Sequence, residues 1–179
     1  MPRFVAFLRG INLGKRRLPM SRLVEIFEQI GHTDVKTFIA SGNVLFRSPS
    51  KNAATLERAA SQQLENALGY EVDVFIRTAD AIVEIAQAKH FPDEEREGVT
   101  LHVGFVHKPF SPEIRKNLES IRTPTDEFKV AEREFYWLCR TRSSESVVWT
   151  LPEVKALRLP TSTMRNIKTI RKLATQYLQ

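Results

Sequence analysis

Three stretches of this 179-residue chain carry residue types able to do chemistry. The first, Arg9-Gly10-Ile11-Asn12-Leu13-Gly14, lies where the opening apolar run stops. The second, Ser41-Gly42-Asn43, is wedged between two apolar runs. The third, Thr163-Met164-Arg165-Asn166 with Thr169 behind it, lies near the C-terminus. Each sets Arg, Asn, Ser or Thr beside an element end, where backbone and side-chain donors can converge on one ligand. The expectation is one site made of Arg9, Gly10, Asn12, Ser41, Gly42, Asn43, Arg165, Asn166 and Thr169. Its ligand would be a phosphate-bearing small molecule or a nucleic-acid backbone.

Charge placement supports an anionic partner. Residues 1–22 hold six basic side chains (Arg3, Arg9, Lys15, Arg16, Arg17, Arg22) and no acid. Residues 155–179 hold another six and again no acid, while the middle is net negative within a total of +6. Ends that met in the fold would form a positive patch; ends that did not would be two solvated basic faces.

Each stretch also has a plainer explanation. The glycines before Lys15 invite comparison with a phosphate-cradling loop, but only three residues separate them. Arg16 stands where a magnesium-binding Ser or Thr belongs. Asn12 can simply hydrogen-bond its own backbone, and Ser-Gly-Asn is ordinary turn chemistry. Arg165 and Asn166 are expected in the first turn of the last helix. A cation there opposes the helix dipole, which suggests that Arg165 answers an anion, either a ligand or an acidic side chain such as Glu153.

Catalytic machinery is thin. His32, His90, His102 and His107 are scattered without metal-ligand spacing, so no metal and no cofactor are expected. Cys139 is alone, which excludes an internal disulfide and suits a cytoplasmic protein; inside an aromatic run it reads as a buried, inert thiol. Acidic residues 93–97 read as a solvated loop. The opening apolar run is too short for a signal peptide or membrane helix.

The elements that must position these residues follow from periodicity. Residues 3–9 form a strand apolar on both faces. A helix from Pro19 carries Leu23, Val24, Phe27 and Ile30 and ends at Gly31. Strands at 35–40 and 44–46 flank Ser-Gly-Asn, Ser50 or Asn52 caps a second helix closed by Gly69, and Val72, Val74 and Ile76 make a fourth strand. Residues 1–78 are thus a βαββαβ unit of the ferredoxin-like kind.

From 79 the pattern is a helix capped by Thr78 or Asp80, a strand at 100–107, a helix from Ser111-Pro112, a hairpin around Glu132-Arg133, and a last helix capped by Thr161 or Thr163. The expected fold class is α+β, two ferredoxin-like (alpha-beta plait) subdomains at 1–78 and 79–179. The third strand lacks the glycine and aromatic pattern of RNA-recognition motifs, which disfavours base stacking on an open sheet.

At Leu8-Arg9-Gly10-Ile11-Asn12-Leu13-Gly14, Ser41-Gly42-Asn43-Val44-Leu45-Phe46 and Thr163-Met164-Arg165-Asn166-Ile167-Lys168-Thr169 the chain closely resembles a bacterial family, domain of unknown function 1697. The resemblance runs nearly end to end. It implies two alpha-beta-plait subdomains and no activity. Family members often carry a glycine-rich segment ending in Ser-Lys. Here Ser143-Ser144-Glu145-Ser146-Val147 has no adjacent lysine, so a role for that pair does not transfer.

Three readings result, in this order. The first is a binding module for an anion, with Lys15 to Arg17 extending the positive surface. The second is a polar knot with no ligand, and the third an enzyme on a phosphorylated or carboxylated substrate. In the last, Arg9 and Arg165 would clamp charge and Ser41 or a neighbour would act as nucleophile or proton donor.

Overall fold

The computed structural model describes residues 1–39 and 42–179. Ala40 and Ser41 lie outside the described residues. Met1–Ile85 with Leu173–Gln179 make one compact unit, and Ala86–Lys172 make another.

In the first unit, β1 (Arg3–Leu8), β2 (Thr33–Thr37), β3 (Asn43–Arg47) and β4 (Val74–Thr78) form an antiparallel sheet ordered β2-β3-β1-β4. Helices α1 (Met20–Gln29) and α2 (Ala53–Leu68) supply the crossovers. Because strand side chains alternate, Phe4, Ala6 and Leu8 face one way and join Phe46, Val74 and Ile76. Leu23, Ile26 and Phe27 of α1 and Leu56, Ala60 and Leu64 of α2 close that core. Phe46 stacks 5.6 Å from Phe4 and meets Phe27 edge-on at 5.5 Å.

The helix ends follow local chemistry. Asn52 caps α2 by accepting the Thr55 N–H at 3.1 Å, and Gly69 ends it in the left-handed region. Thr78 accepts from Ala81 N–H at 3.2 Å and caps α3 (Ala79–Gln87). Pro19 precedes α1 with no side-chain cap, so the helix's first N–H groups have no side-chain acceptor.

The second unit repeats the topology. Strands β5 (Thr100–Phe105), β6 (Asp126–Val130), β7 (Glu134–Cys139) and β8 (Thr163–Asn166) form an antiparallel sheet ordered β6-β7-β5-β8. α4 (Pro112–Ser120) starts at Ser111, whose hydroxyl accepts the Ile114 N–H at 3.2 Å. α5 (Pro152–Ala156) precedes β8, and α6 (Ile167–Leu173) follows it. The aromatic strand Glu134–Cys139 is buried along its length, and Phe135, Trp137, Phe128 and Leu118 centre the core. A Cβ on Gly104 would lie 2.2 Å from the Phe135 ring, so only glycine lets that ring lie on β5.

Three expectations change. The strand expected at 35–40 is Thr33–Thr37, which leaves Phe38 and Ile39 beyond its end. The strand at 100–107 stops at Phe105, which leaves His107 off the strand. Thr163–Asn166 is a strand rather than the start of the last helix, and it completes a second βαββαβ set. Four residues without clear alternation become a strand only by pairing with β5.

Candidate functional site

The β1–α1 loop is pinned at both ends and exposed between. Ile11 and Leu18 are buried, and the Asn12 side chain, at φ 55°, accepts the Leu18 N–H at 2.8 Å. Leu13 to Arg17 stand in solvent. Arg16 lies 4.4 Å over the Tyr70 ring, a cation–π contact. Lys15 and Arg17 have no acidic partner among the described residues. Arg17 also lines an open groove with Asn12, Leu18, Pro19 and Met20, at the uncapped start of α1. Arg9 is half-exposed, 3.9 Å from the Asp73 carboxylate, while its N–H donates to the Asp73 carbonyl at 3.0 Å. Gly10 takes φ 78°.

The β2–β3 turn meets this loop. The Gly42 carbonyl accepts the Leu8 N–H at 2.8 Å, extending the β1–β3 ladder beyond the strand. Gly42 has φ +80°, and a Cβ there would sit 2.7 Å from Ile11 Cδ1 and 3.1 Å from Leu8 Cβ. The left-handed backbone therefore favours glycine, and a Cβ would also require the tip of Ile11 to shift. Asn43 is fully buried; its Nδ2 donates to the Phe38 carbonyl at 2.7 Å, and its carbonyl accepts the Phe38 N–H at 3.0 Å. Its side chain closes the turn. Ser41 lies outside the described residues.

The third stretch belongs to Ala86–Lys172. Arg165 and Asn166 are on β8, so the expected first-turn position, and the dipole argument built on it, is corrected. Arg165 pairs with Val103 across the sheet and donates to Thr163 Oγ1 at 2.7 Å and the Met164 carbonyl at 3.0 Å. Burial pushes its pKa down to about 10, which leaves it cationic at neutral pH. Asn166 accepts the Lys168 N–H at 2.9 Å and starts α6, in place of Thr161 or Thr163. Thr169 is half-buried within α6.

The acidic run 93–97 is not simply a solvated loop. Glu94 is buried and accepts from Phe91 N–H at 2.8 Å, His90 N–H at 2.7 Å and the Arg171 guanidinium. Burial would raise its carboxyl, but these donors outweigh it and hold the pKa below the ordinary value. Asp93 pairs with Arg140 at 2.7 Å, and Arg140 also reaches Glu127. The Arg140 hydrogen bond leads in holding Asp93 low, and the two carboxylates raise Arg140 further.

Asp126 is another buried carboxylate absent from the sequence reading. It accepts from Thr123, Thr125 and Ser146 hydroxyls and from Trp137 Nε1, at 2.6–2.8 Å. Only the charge run at 93–97 signalled any of this, because the cationic partners Arg171 and Arg140 stand 77 and 47 positions from Glu94 and Asp93. Cys139 is buried, and desolvation raises its thiol, as an inert cysteine requires. Among the described residues no three His, Cys, Asp or Glu side chains are grouped to hold a metal ion. No helix of the described residues is long and apolar enough to cross a membrane.

Two four-stranded antiparallel sheets, each with helices, define an α+β protein of two alpha-beta plaits. The chain belongs to the family described as Protein of unknown function (DUF1697), whose model matches residues 1–136. It is similar in fold to the conserved bacterial protein SP0830 from Streptococcus pneumoniae. The TM-score is 0.78 and the identity 18%, over 100% of this chain and 99% of that one. No curated protein matches the sequence significantly.

Proposed function

We propose that the β1–α1 loop binds a phosphate-bearing anion, either a small molecule or a nucleic-acid backbone, in a cytoplasmic bacterial protein. The supporting observation is the three consecutive exposed cations Lys15, Arg16 and Arg17, on a loop held by Asn12, Ile11 and Leu18. Cations without acidic partners pay no exchange penalty on meeting a phosphate, and the uncapped N–H groups of α1 add donors beside Arg17. Arg9 extends the positive surface. This reading does not need Arg165, Asn166 or Thr169.

The test is fluorescence anisotropy of a labelled single-stranded oligonucleotide across a salt series, beside calorimetry with pyrophosphate and ADP. Three backbone contacts predict a log–log salt slope of roughly −2 for the oligonucleotide. Lys15→Gln with Arg17→Gln should weaken whichever ligand binds about tenfold, since two charge-assisted contacts go. Equal affinity in wild type and double variant would sink the reading.

A second reading, the polar knot, is favoured by a different observation. Asn12, Gly42 and Asn43 all spend their polar groups on backbone: Leu18 N–H, Leu8 N–H and the Phe38 carbonyl. On this reading Asn12→Ala lowers the melting temperature and alters no ligand affinity. The enzyme reading rests on Ser41, which lies outside the described residues.

A further inference from the structure

In Ala86–Lys172, a groove of about 440 Å³ opens where the chain leaves β5 for α4, and none of the residues expected to form a site lines it. Pro109, Phe110, Ile114 and Pro160 give it an apolar wall, and Lys108 and Arg158 give it two cations. That volume is within the range of small-molecule sites. Phe110 is half-buried and held edge-on to Phe135 at 6.2 Å, so the wall is anchored to the core.

The charge on the groove is one-sided. No carboxylate lines it, and neither Lys108 nor Arg158 has an acidic partner among the described residues. Arg158 sits at φ 49°, in the left-handed region that β-branched and most other side chains avoid, just past the end of α5. Its N–H donates to the Lys155 carbonyl at 3.2 Å, which ties the turn down.

We infer that this groove binds an amphipathic carboxylate, its anionic end between Lys108 and Arg158 and its hydrocarbon or aryl body against Phe110 and the prolines. A singly charged head fits better than a phosphate. The N–H groups at the start of α4, which would serve a phosphate, already have Ser111 as cap and Glu113 in the first turn. Apolar wall and paired cations together select for a ligand with both parts; either part alone forfeits half the contact.

The experiment titrates octanoate, and separately octan-1-ol, into the full chain and follows backbone amide NMR shifts. Saturable octanoate shifts centred on 107–114 and 158–161, at least fivefold weaker for octan-1-ol, are expected. Arg158→Asn is the variant of choice, because asparagine tolerates the left-handed region and the fold should persist without the guanidinium. It should weaken octanoate at least fivefold at an unchanged melting temperature, and Lys15→Gln with Arg17→Gln should leave it untouched. No saturable octanoate shift, equal binding of the alcohol, or full binding by both Arg158→Asn and Lys108→Gln would overturn the inference.

Discussion

In the first unit the central strand β1 runs between β3 and β4, and in the second β5 runs between β7 and β8, with matching registers. Arg77 stands opposite Val5, and Arg165 opposite Val103; Asn43 stands opposite Phe7, and Glu134 opposite Phe105. The backbone plan is the same, but the buried polar anchors differ. The first unit sinks an ion pair: the Arg77 guanidinium is 3.7 Å from Glu57, whose carboxylate also accepts the Ile76 N–H at 2.9 Å. The second has buried Glu94 paired to Arg171, and it also sinks Asp126 with no cation, among neutral donors from three hydroxyls and an indole. One topology thus tolerates two solutions to burying charge, because what it requires is satisfaction of each group rather than a particular partner.

The comparison breaks most visibly at Glu57. Glu57→Ala removes the carboxylate beside a buried guanidinium, which keeps its hydrogen bond to the Ile76 carbonyl, and removes the acceptor of the Ile76 N–H; it should cost about 4 kcal/mol in urea unfolding. Asp126→Ala removes the acceptor of four donors, one of them a buried indole, and should cost about 3 kcal/mol. Burial would raise the Asp126 carboxyl, but the Thr125, Trp137, Ser146 and Thr123 donors outweigh it and hold the pKa below 3.8. Its contribution is therefore present above the unfolded value near 3.8 and lost as pH falls through the folded one. Acid titration of wild type against Asp126→Ala checks the sign. A loss in Glu57→Ala smaller than in Asp126→Ala would mean that the ion pair is the weaker anchor.

The two glycines that permit close packing sharpen the same contrast. Gly104→Ala drives a Cβ into the Phe135 ring, which Phe110 and Trp149 hold in place, and should cost about 3 kcal/mol. Gly42→Ala meets the tip of a movable Ile11 side chain, so strain at φ +80° dominates and about 2 kcal/mol is expected. Thermal unfolding of both variants gives the order. If Gly42→Ala proves the costlier, the β1–β3 junction is more rigid than the aromatic core.

How much of this the amino-acid sequence disclosed depends on the range of the interaction. The first βαββαβ set was readable because its two helices, β1 and β4 carry their own apolar patterns and α2 its own cap and terminator, Asn52 and Gly69, whereas β2, with Val35 its one apolar residue, was displaced. β8 was not, since Thr-Met-Arg-Asn becomes a strand only beside β5, and the helix expected there begins three residues later than Met164. The turn residues Gly42 and Asn43 were legible as turn chemistry. That their polar groups face inward, to Leu8 and Phe38, follows from packing that no local pattern encodes. Glu94 looked like one acid among several in a charged loop. Its guanidinium partner, Arg171, is 77 positions away.

The smallest effect separates the units by pH. His32 in the first is buried, stacked 4.3 Å from Phe46, and its Nε2 has no hydrogen-bond partner among the described residues. His102 in the second stacks 4.8 Å from Trp137, its Nδ1 likewise without a partner among the described residues. Desolvation lowers both pKa values below 6.5, so the unfolded chain takes up protons before the folded one does. Stability is then full above pH 6.5, falls as pH drops below it, and levels off under the folded values. Each histidine can contribute at most about 1.4 kcal/mol between pH 7.5 and 5.5. Urea midpoints at the two pH values, for wild type, His32→Phe and His102→Phe, assign the slope to one sheet or the other. Halving by each substitution would make burial of an unpaired imidazole a shared feature of the two plaits. A slope that survives both would transfer it to other groups, and the histidines would be buried without cost near neutrality.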